Sequence, residues 1–301
     1  MPPENQSSNL SPFTELTASR LVIVAGKGGV GKTTVTAVLA RAAADAGQRV
    51  LVIELDGKQA LVDLLPGVDV RHISAASSLE EYLLDHGFKR IAKRLASTGV
   101  IDVVGTAAPG IDDLVVLGKI KQLERSGDWD LIVVDGPAAG HAITFLTSAA
   151  GLLDAVGSGP VHDQARDVVA MLSDPRRCRV VLVTLPETTP VNELIETADT
   201  IVERVGVELG PIVVDQVDTA PPLPDPATVS FGRAKVQVDD AVAAAEFRRA
   251  RRAVQDVELA RLADEVPNRQ VHVRTLPVAG LTADDVALLA AELTSLDEGR
   301  P

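Results

Sequence analysis

Leu21-Val22-Ile23-Val24-Ala25-Gly26-Lys27-Gly28-Gly29-Val30-Gly31-Lys32-Thr33-Thr34 passes from an apolar run into a glycine-rich loop. A helix-compatible stretch, Thr33 to Ala46, follows. Strand, glycine loop and helix in this order are the context a phosphate-binding loop needs. The spacing G-x-x-x-x-G-K-[ST] is met by Gly26, Gly31, Lys32 and Thr33. A second lysine, Lys27, stands directly after the first glycine.

The chemistry follows from the residue types. A nucleoside triphosphate presents many anionic oxygens. Glycines at 26, 28, 29 and 31 let backbone N–H groups approach them, and the helix opening at Lys32 adds its positive end. Val30 and Thr34 complete the expected cradle. Lys32 is expected to reach the β- and γ-phosphates and the Thr33 hydroxyl to bind Mg²⁺.

Outward from the loop, short runs rich in Val and Ile recur. They are Val50–Glu54, residues 130–134, Arg179–Thr184, Pro211–Val214 and Gln270–Val273. Continuous apolar runs suit parallel strands covered on both faces. Helical patterns alternate with them at Gly140–Ala150, Val161–Ser173, Val191–Val205, Asp239–Glu265 and Thr282–Leu296. Six strands alternating with helices predict a doubly wound, mainly parallel α/β sheet. Residues 72–128 exceed one crossover and are expected to form a mostly helical insertion. Residues 1–19 read as a flexible tail, 20–297 as a single domain, and 298–301 as a C-terminal tail.

Two carboxylates are expected beside the loop. Asp135 ends the run Leu131-Ile132-Val133-Val134, where it can hold Mg²⁺ through water. Gly136-Pro137-Ala138-Ala139-Gly140 behind it suits a switch segment. Asp56 follows the second strand, where it can orient an attacking water and help hold the metal. A helix-capping role is the plainer alternative for Asp56.

Composition narrows the classes. The 301 residues carry a net charge of −13, which disfavours DNA or anionic lipid as the main target. Aromatics are 2%, so the core must be aliphatic. Cys178 is the lone cysteine, which excludes an intrachain disulfide and a cysteine zinc site. No apolar run reaches the ~18 residues of a membrane span. The polar N-terminus lacks the layout of a signal peptide, so a cytoplasmic location is expected.

Together these segments resemble the ArsA/Get family of P-loop ATPases, whose wider SIMIBI class includes MinD and ParA. The family loop K-G-G-x-G-K-[ST] is met by Lys27 to Thr33. Its first switch, D-P-A-H-N-L-S-D, is matched in part by Asp56-Gly57-Lys58-Gln59-Ala60-Leu61-Val62-Asp63. Its second, D-T-A-P-T-G-H-T-L-R-F-L, is matched by Asp135, Gly140-His141 and Phe145-Leu146. Pro109-Gly110-Ile111-Asp112-Asp113 is similar to the family's P-G-[IA]-x-E run. The chain looks most like the shorter, single-domain actinobacterial members.

The resemblance implies an ATPase that uses ATP and Mg²⁺ as a dimeric switch. Lys27 would reach the nucleotide of a second subunit, either a homodimer or a heterodimer with a paralogue. Asp56 would position water, and Asp135 would order the Mg²⁺ shell. Asp215 and Gln216 stand where the family's V-N-Q run contacts adenine. Hydrolysis would be coupled to an unidentified protein client or membrane partner. The departures matter as well. Too few cysteines are present to bind arsenite, and Gly57 and Lys58 replace the family's Pro and His, which could slow hydrolysis. Alternatives are a ParA/MinD-type positioning ATPase or a weakly catalytic regulatory subunit of a heterodimer.

Of the remaining features, His141 follows the switch glycine, while His72, His86, His162 and His272 show no ligand spacing. Arg248, Arg249, Arg251 and Arg252 are expected on a solvated helix face rather than on nucleic acid. The last helix carries Asp284, Asp285 and Glu292 and is expected to pack on the sheet.

Overall fold

The computed structural model describes residues 11–55, 57, 60–85, 110–223 and 238–298. Seven parallel strands form one sheet: β1 Leu21–Gly26, β2 Val50–Glu54, β3 Asp69–His72, β4 Leu131–Ala138, β5 Cys178–Thr184, β6 Ile212–Val217 and β7 Gln270–Arg274. Their order across the sheet is β3-β2-β4-β1-β5-β6-β7. The described helices are α1 Pro12–Leu16, α2 Lys32–Asp45, α3 Ala60–Leu64, α4 Ala75–Asp85, α5 Ile111–Ser126, α6 Ala139–Ala155 and α7 Pro160–Leu172. They continue with α8 Thr188–Thr200, α9 Val238–Glu265 and α10 Ala283–Glu298.

β1 shows why this sequence makes a two-faced layer. All six of its residues are buried. Leu21, Ile23 and Ala25 face a core shared with α5 to α9. Val22 and Val24 face a second core formed with α1, α2, α3 and α10. Alternation along the strand sends successive side chains to opposite faces, and both faces are covered. Each fully buried Val, Leu or Ile contributes roughly 1.5–3 kcal/mol. The expected doubly wound α/β sheet is therefore present.

The sheet holds one strand beyond the six read from the sequence. β3 pairs only with β2 at the sheet edge, and its residues are largely exposed. Asp-Val-Arg-His has too few apolar residues to register as a buried strand. The expected N-terminal tail also ends sooner than Ser19. Ser11 caps α1 by accepting a hydrogen bond from the Thr14 N–H, and Phe13 and Leu16 are buried in the core shared with α10. Within the expected insertion, α5 lies on the sheet itself. Leu114, Leu117 and Ile120 enter the main core, so α5 covers the sheet rather than standing apart from it. Residues 86–109 of the insertion lie outside the described residues.

Gly47, at φ +85° just past α2, stops the helix in the left-handed conformation that glycine takes freely. α10 buries Val286, Leu289, Ala290 and Leu293 against the sheet side, as its sequence led one to expect. Among the described residues no helix is long and apolar enough to cross a membrane.

Candidate functional site

β1 sits between β4 and β5, where chain progression along the sheet changes direction. The crevice at the carboxyl ends of strands at such a point is the usual ligand position in open α/β sheets. The glycine loop lies here, between Gly26 and α2. α2 begins at Lys32 with Gly31 as its N-cap at φ +91°, a left-handed conformation that disfavours a side chain. A methyl group built on Gly31 would lie 1.9 Å from Asp215 Oδ2, so close approach also requires glycine.

Lys32 Nζ donates to the carbonyls of Gly26 and Lys27, both at 3.1 Å, and so lies folded over the loop. Thr33 Oγ1 donates to Asp135 Oδ2 at 2.8 Å. Thr36, one turn further along α2, donates to the other Asp135 oxygen at 3.4 Å. β4 carries Asp135 alongside Val24 of β1 and Glu54 of β2. Parallel pairing thus brings two segments 102 residues apart into direct contact. A threonine hydroxyl and a carboxylate are hard oxygen ligands, matching a Mg²⁺ ion that keeps several waters and takes phosphate oxygens. Among the described residues no group of three His, Cys, Asp or Glu forms a denser metal site.

Gly28 and Gly29 shape the loop, with Gly29 at φ +86°. Val30 is buried in the core beneath it, and Thr34 lies at the start of α2. Lys27 Nζ pairs with Glu193 Oε1 of α8 at 2.5 Å. The single chain therefore holds this lysine in cis. Asp56 lies outside the described residues, as do Lys58 and Gln59. Gly57 is described, and its φ of +72° is one that proline, fixed near −65°, cannot adopt. The backbone here departs from the family's Asp-Pro, as the sequence does.

Asp215 and Gln216 lie near the carboxyl end of β6, with Asp215 beside the loop at Gly31. Asp215 is 3% exposed, and burial raises its carboxyl pKa to about 6, partly offset by the Gln216 backbone N–H. Gln216 is exposed with φ +58°. Both line a cavity of about 260 Å³ together with Thr34, Arg274, Leu276 and Leu281. Arg274 reaches Glu292 of α10 through three contacts of 2.7–2.9 Å.

Sequence reasoning missed four participants. Thr36 had a signal, since it lies one helical turn from Thr33. Glu193 had none, because only the sheet brings it across 166 residues to Lys27. The cavity wall from Thr275 to Leu281 was also invisible, being irregular chain after β7. So was the link between His141 and Asp113 of α5, whose carboxyl pKa is raised by burial and lowered in part by His141. Elsewhere three of the four clustered arginines of α9 are tied into the protein. Arg248 pairs with Asp218, Arg251 with Glu187, and Arg252 with the Ala220 carbonyl. These partners, rather than Asp256, Glu258 and Asp264 of the same helix, hold them. Cys178 is buried at the start of β5, where burial pushes its thiol pKa far up.

The family model for anion-transporting ATPases matches residues 19–157, which carry the loop, both switch segments and α5. This chain belongs to the ArsA family of ATPases. It is 30% identical over 228 residues to ATPase BagA of Mycobacterium tuberculosis, covering 67% of this chain and 66% of that protein. It is 31% identical over 195 residues to an arsenical pump-driving ATPase of Escherichia coli, covering 62% of this chain and 33% of the relative. An arsenical pump-driving ATPase of Acidiphilium multivorum is 30% identical over 214 residues, 68% of this chain and 36% of the relative. The chain thus spans about two thirds of the mycobacterial relative and about one third of the two pump-driving ATPases.

Proposed function

We propose that this ArsA-family chain binds Mg-ATP at the β1–α2 loop, hydrolyses it, and works as a dimeric switch for a protein client or transport partner. The observation that carries the reading is the pair of hydrogen bonds from Thr33 and Thr36 to Asp135. They join the phosphate loop to the segment 135–140, so occupancy of one changes the contacts of the other. Mg²⁺, when bound, supplies charge neutralisation on the phosphate oxygens. Thr33 and Asp135 are the residues that would hold it.

In this reading Lys32 leaves the Gly26 and Lys27 carbonyls to meet phosphate oxygens, and backbone N–H groups of the loop cradle the rest. Asp56 orients the attacking water. Lys27 exchanges Glu193 for the nucleotide of a second subunit, a copy or a paralogue of this chain. The lone, buried Cys178 supports a cycle without cysteine-based arsenite binding. The tethered arginines of α9 favour this reading over a nucleic-acid-binding, ParA-like one.

Equilibrium binding and phosphate release test it. Lys32→Ala abolishes ATP binding, and Asp56→Asn leaves binding intact while slowing hydrolysis by about a hundredfold or more. Normal turnover by the Asp56 variant removes that residue from the catalytic role. A second reading, a weakly hydrolysing regulatory subunit, is favoured by the left-handed Gly57 in place of the family's proline. Turnover of the chain alone, compared with turnover after a paralogous chain is added, separates the two.

A further inference from the structure

Another, larger cavity, of about 460 Å³, lies among α4, α5 and α7. α5 and α7 cover the sheet face opposite α2, and among the described residues none of the phosphate loop lines this cavity. Ser78 of α4 does line it. The residue is 4% exposed, yet its Oγ has no hydrogen-bond partner among the described residues. A hydroxyl buried without a partner costs stability, so it calls for an explanation.

The opposite wall is cationic. Lys121, 7% exposed, donates to Gln164 Oε1 at 2.9 Å and to Asp167 Oδ2 at 3.4 Å. Arg125 donates to that same carboxylate oxygen at 3.1 Å. Two cations thus converge on one carboxylate. Burial lowers the Lys121 pKa, and Arg125 and Arg177 add to this against the opposing pull of Asp167. Lys119 and Glu81, also in the lining, pair with each other. With its oxygen on Lys121, Gln164 has Nε2 left as a donor beside Gly118. A methyl group built on Gly118 would lie 1.9 Å from that nitrogen, so glycine is what admits the amide here.

Ser78, Lys121, Arg125 and Gln164 therefore bring donors from three helices to one cavity. A phosphate group offers up to two negative charges and three or more acceptor oxygens, which suits this set better than the two oxygens of a carboxylate. We propose that the cavity binds a phosphate group, either free phosphate or the phosphomonoester of a small organic molecule. The cationic lining is a local exception in a chain of net charge −13. The volume is that of a small-molecule site and leaves room for an organic remainder. The site is separate from the β1–α2 loop and does not rest on the nucleotide reading.

Two-dimensional amide NMR of the full chain, titrated with inorganic phosphate and separately with glycerol 3-phosphate, tests the proposal. The Lys32→Ala chain, titrated in parallel, separates this cavity from the phosphate loop. Saturable shifts are expected at Ser78, Gly118 and Gln164 in both chains, half-complete at about 1 mM or below. Lys121→Gln is expected to weaken binding about tenfold or more, the scale of a lost charge-assisted hydrogen bond. Ser78→Ala removes a hydroxyl with no partner to lose, so it is expected to keep or raise the melting temperature while weakening binding severalfold. Tighter binding of the glycerol ester assigns the site to an organic phosphate, and equal or weaker binding assigns it to free phosphate. Shifts confined to the loop, no saturation with either ligand, or undiminished binding in both cavity variants overturns the proposal.

Discussion

Asp215 carries an electrostatic cost in the folded chain. Its carboxyl pKa, ordinarily 3.8, is raised to about 6 by burial. The folded state therefore holds the proton more tightly than the unfolded one. Stability is fully present below the ordinary pKa, falls as pH rises towards 6, and stays lowered above it. Asp215→Asn removes the buried charge and is expected to stabilise the nucleotide-free protein at pH 8 by up to about 3 kcal/mol. Urea unfolding at pH 8 and pH 5 checks this, with the gain roughly halved at pH 5. A gain independent of pH shows that packing, not charge, dominates at this position. The carboxylate is thus kept at a cost, consistent with a role in binding rather than in folding.

At the scale of elements, the site depends on α2 being held firmly on the sheet. α2 starts at the loop and is rich in alanine, which favours the helix and permits close packing. α10 packs against it from the far end of the chain and buries Leu293 in the same core. Leu293→Ala, away from the loop, is expected to cost about 2–4 kcal/mol in denaturant unfolding while leaving the affinity of the folded protein for ATP unchanged. A large loss of affinity in folded protein would instead couple α10 packing directly to the loop. α2, the loop and β1 were legible in the sequence because glycine spacing and apolar runs are local signals. β3 and α1 were not, because a short polar edge strand and a five-residue capped helix are decided by their neighbours.

At the scale of the whole molecule, the proposed dimer turns on Lys27. Within one subunit it rests on Glu193, with both side chains over a third exposed. An exposed ion pair of this kind is worth roughly 0–1 kcal/mol, so it gives way readily to a phosphate. Analytical ultracentrifugation is expected to show a monomer in the absence of nucleotide and a dimer with ATP and Mg²⁺, or with a paralogue added. Lys27→Ala lowers the dimer fraction or the turnover, and leaves ATP binding by the single subunit nearly intact. Full turnover by a strictly monomeric Lys27→Ala protein excludes a second subunit from the site.

The sequence by itself determined the chemistry of the loop, the alternation of strands and helices, and Asp135 as the carboxylate beside them. Each is written in contiguous residues, where glycine spacing, apolar periodicity and a strand-ending acid act locally. The tertiary structure alone decided which distant groups meet. Strand order set β4 against β1 and so brought Asp135 to Thr33. It brought Glu193 to Lys27 and Asp215 to Gly31, and it closed the cavity with the chain after β7. Such pairings follow from crossover and packing, which no local pattern encodes.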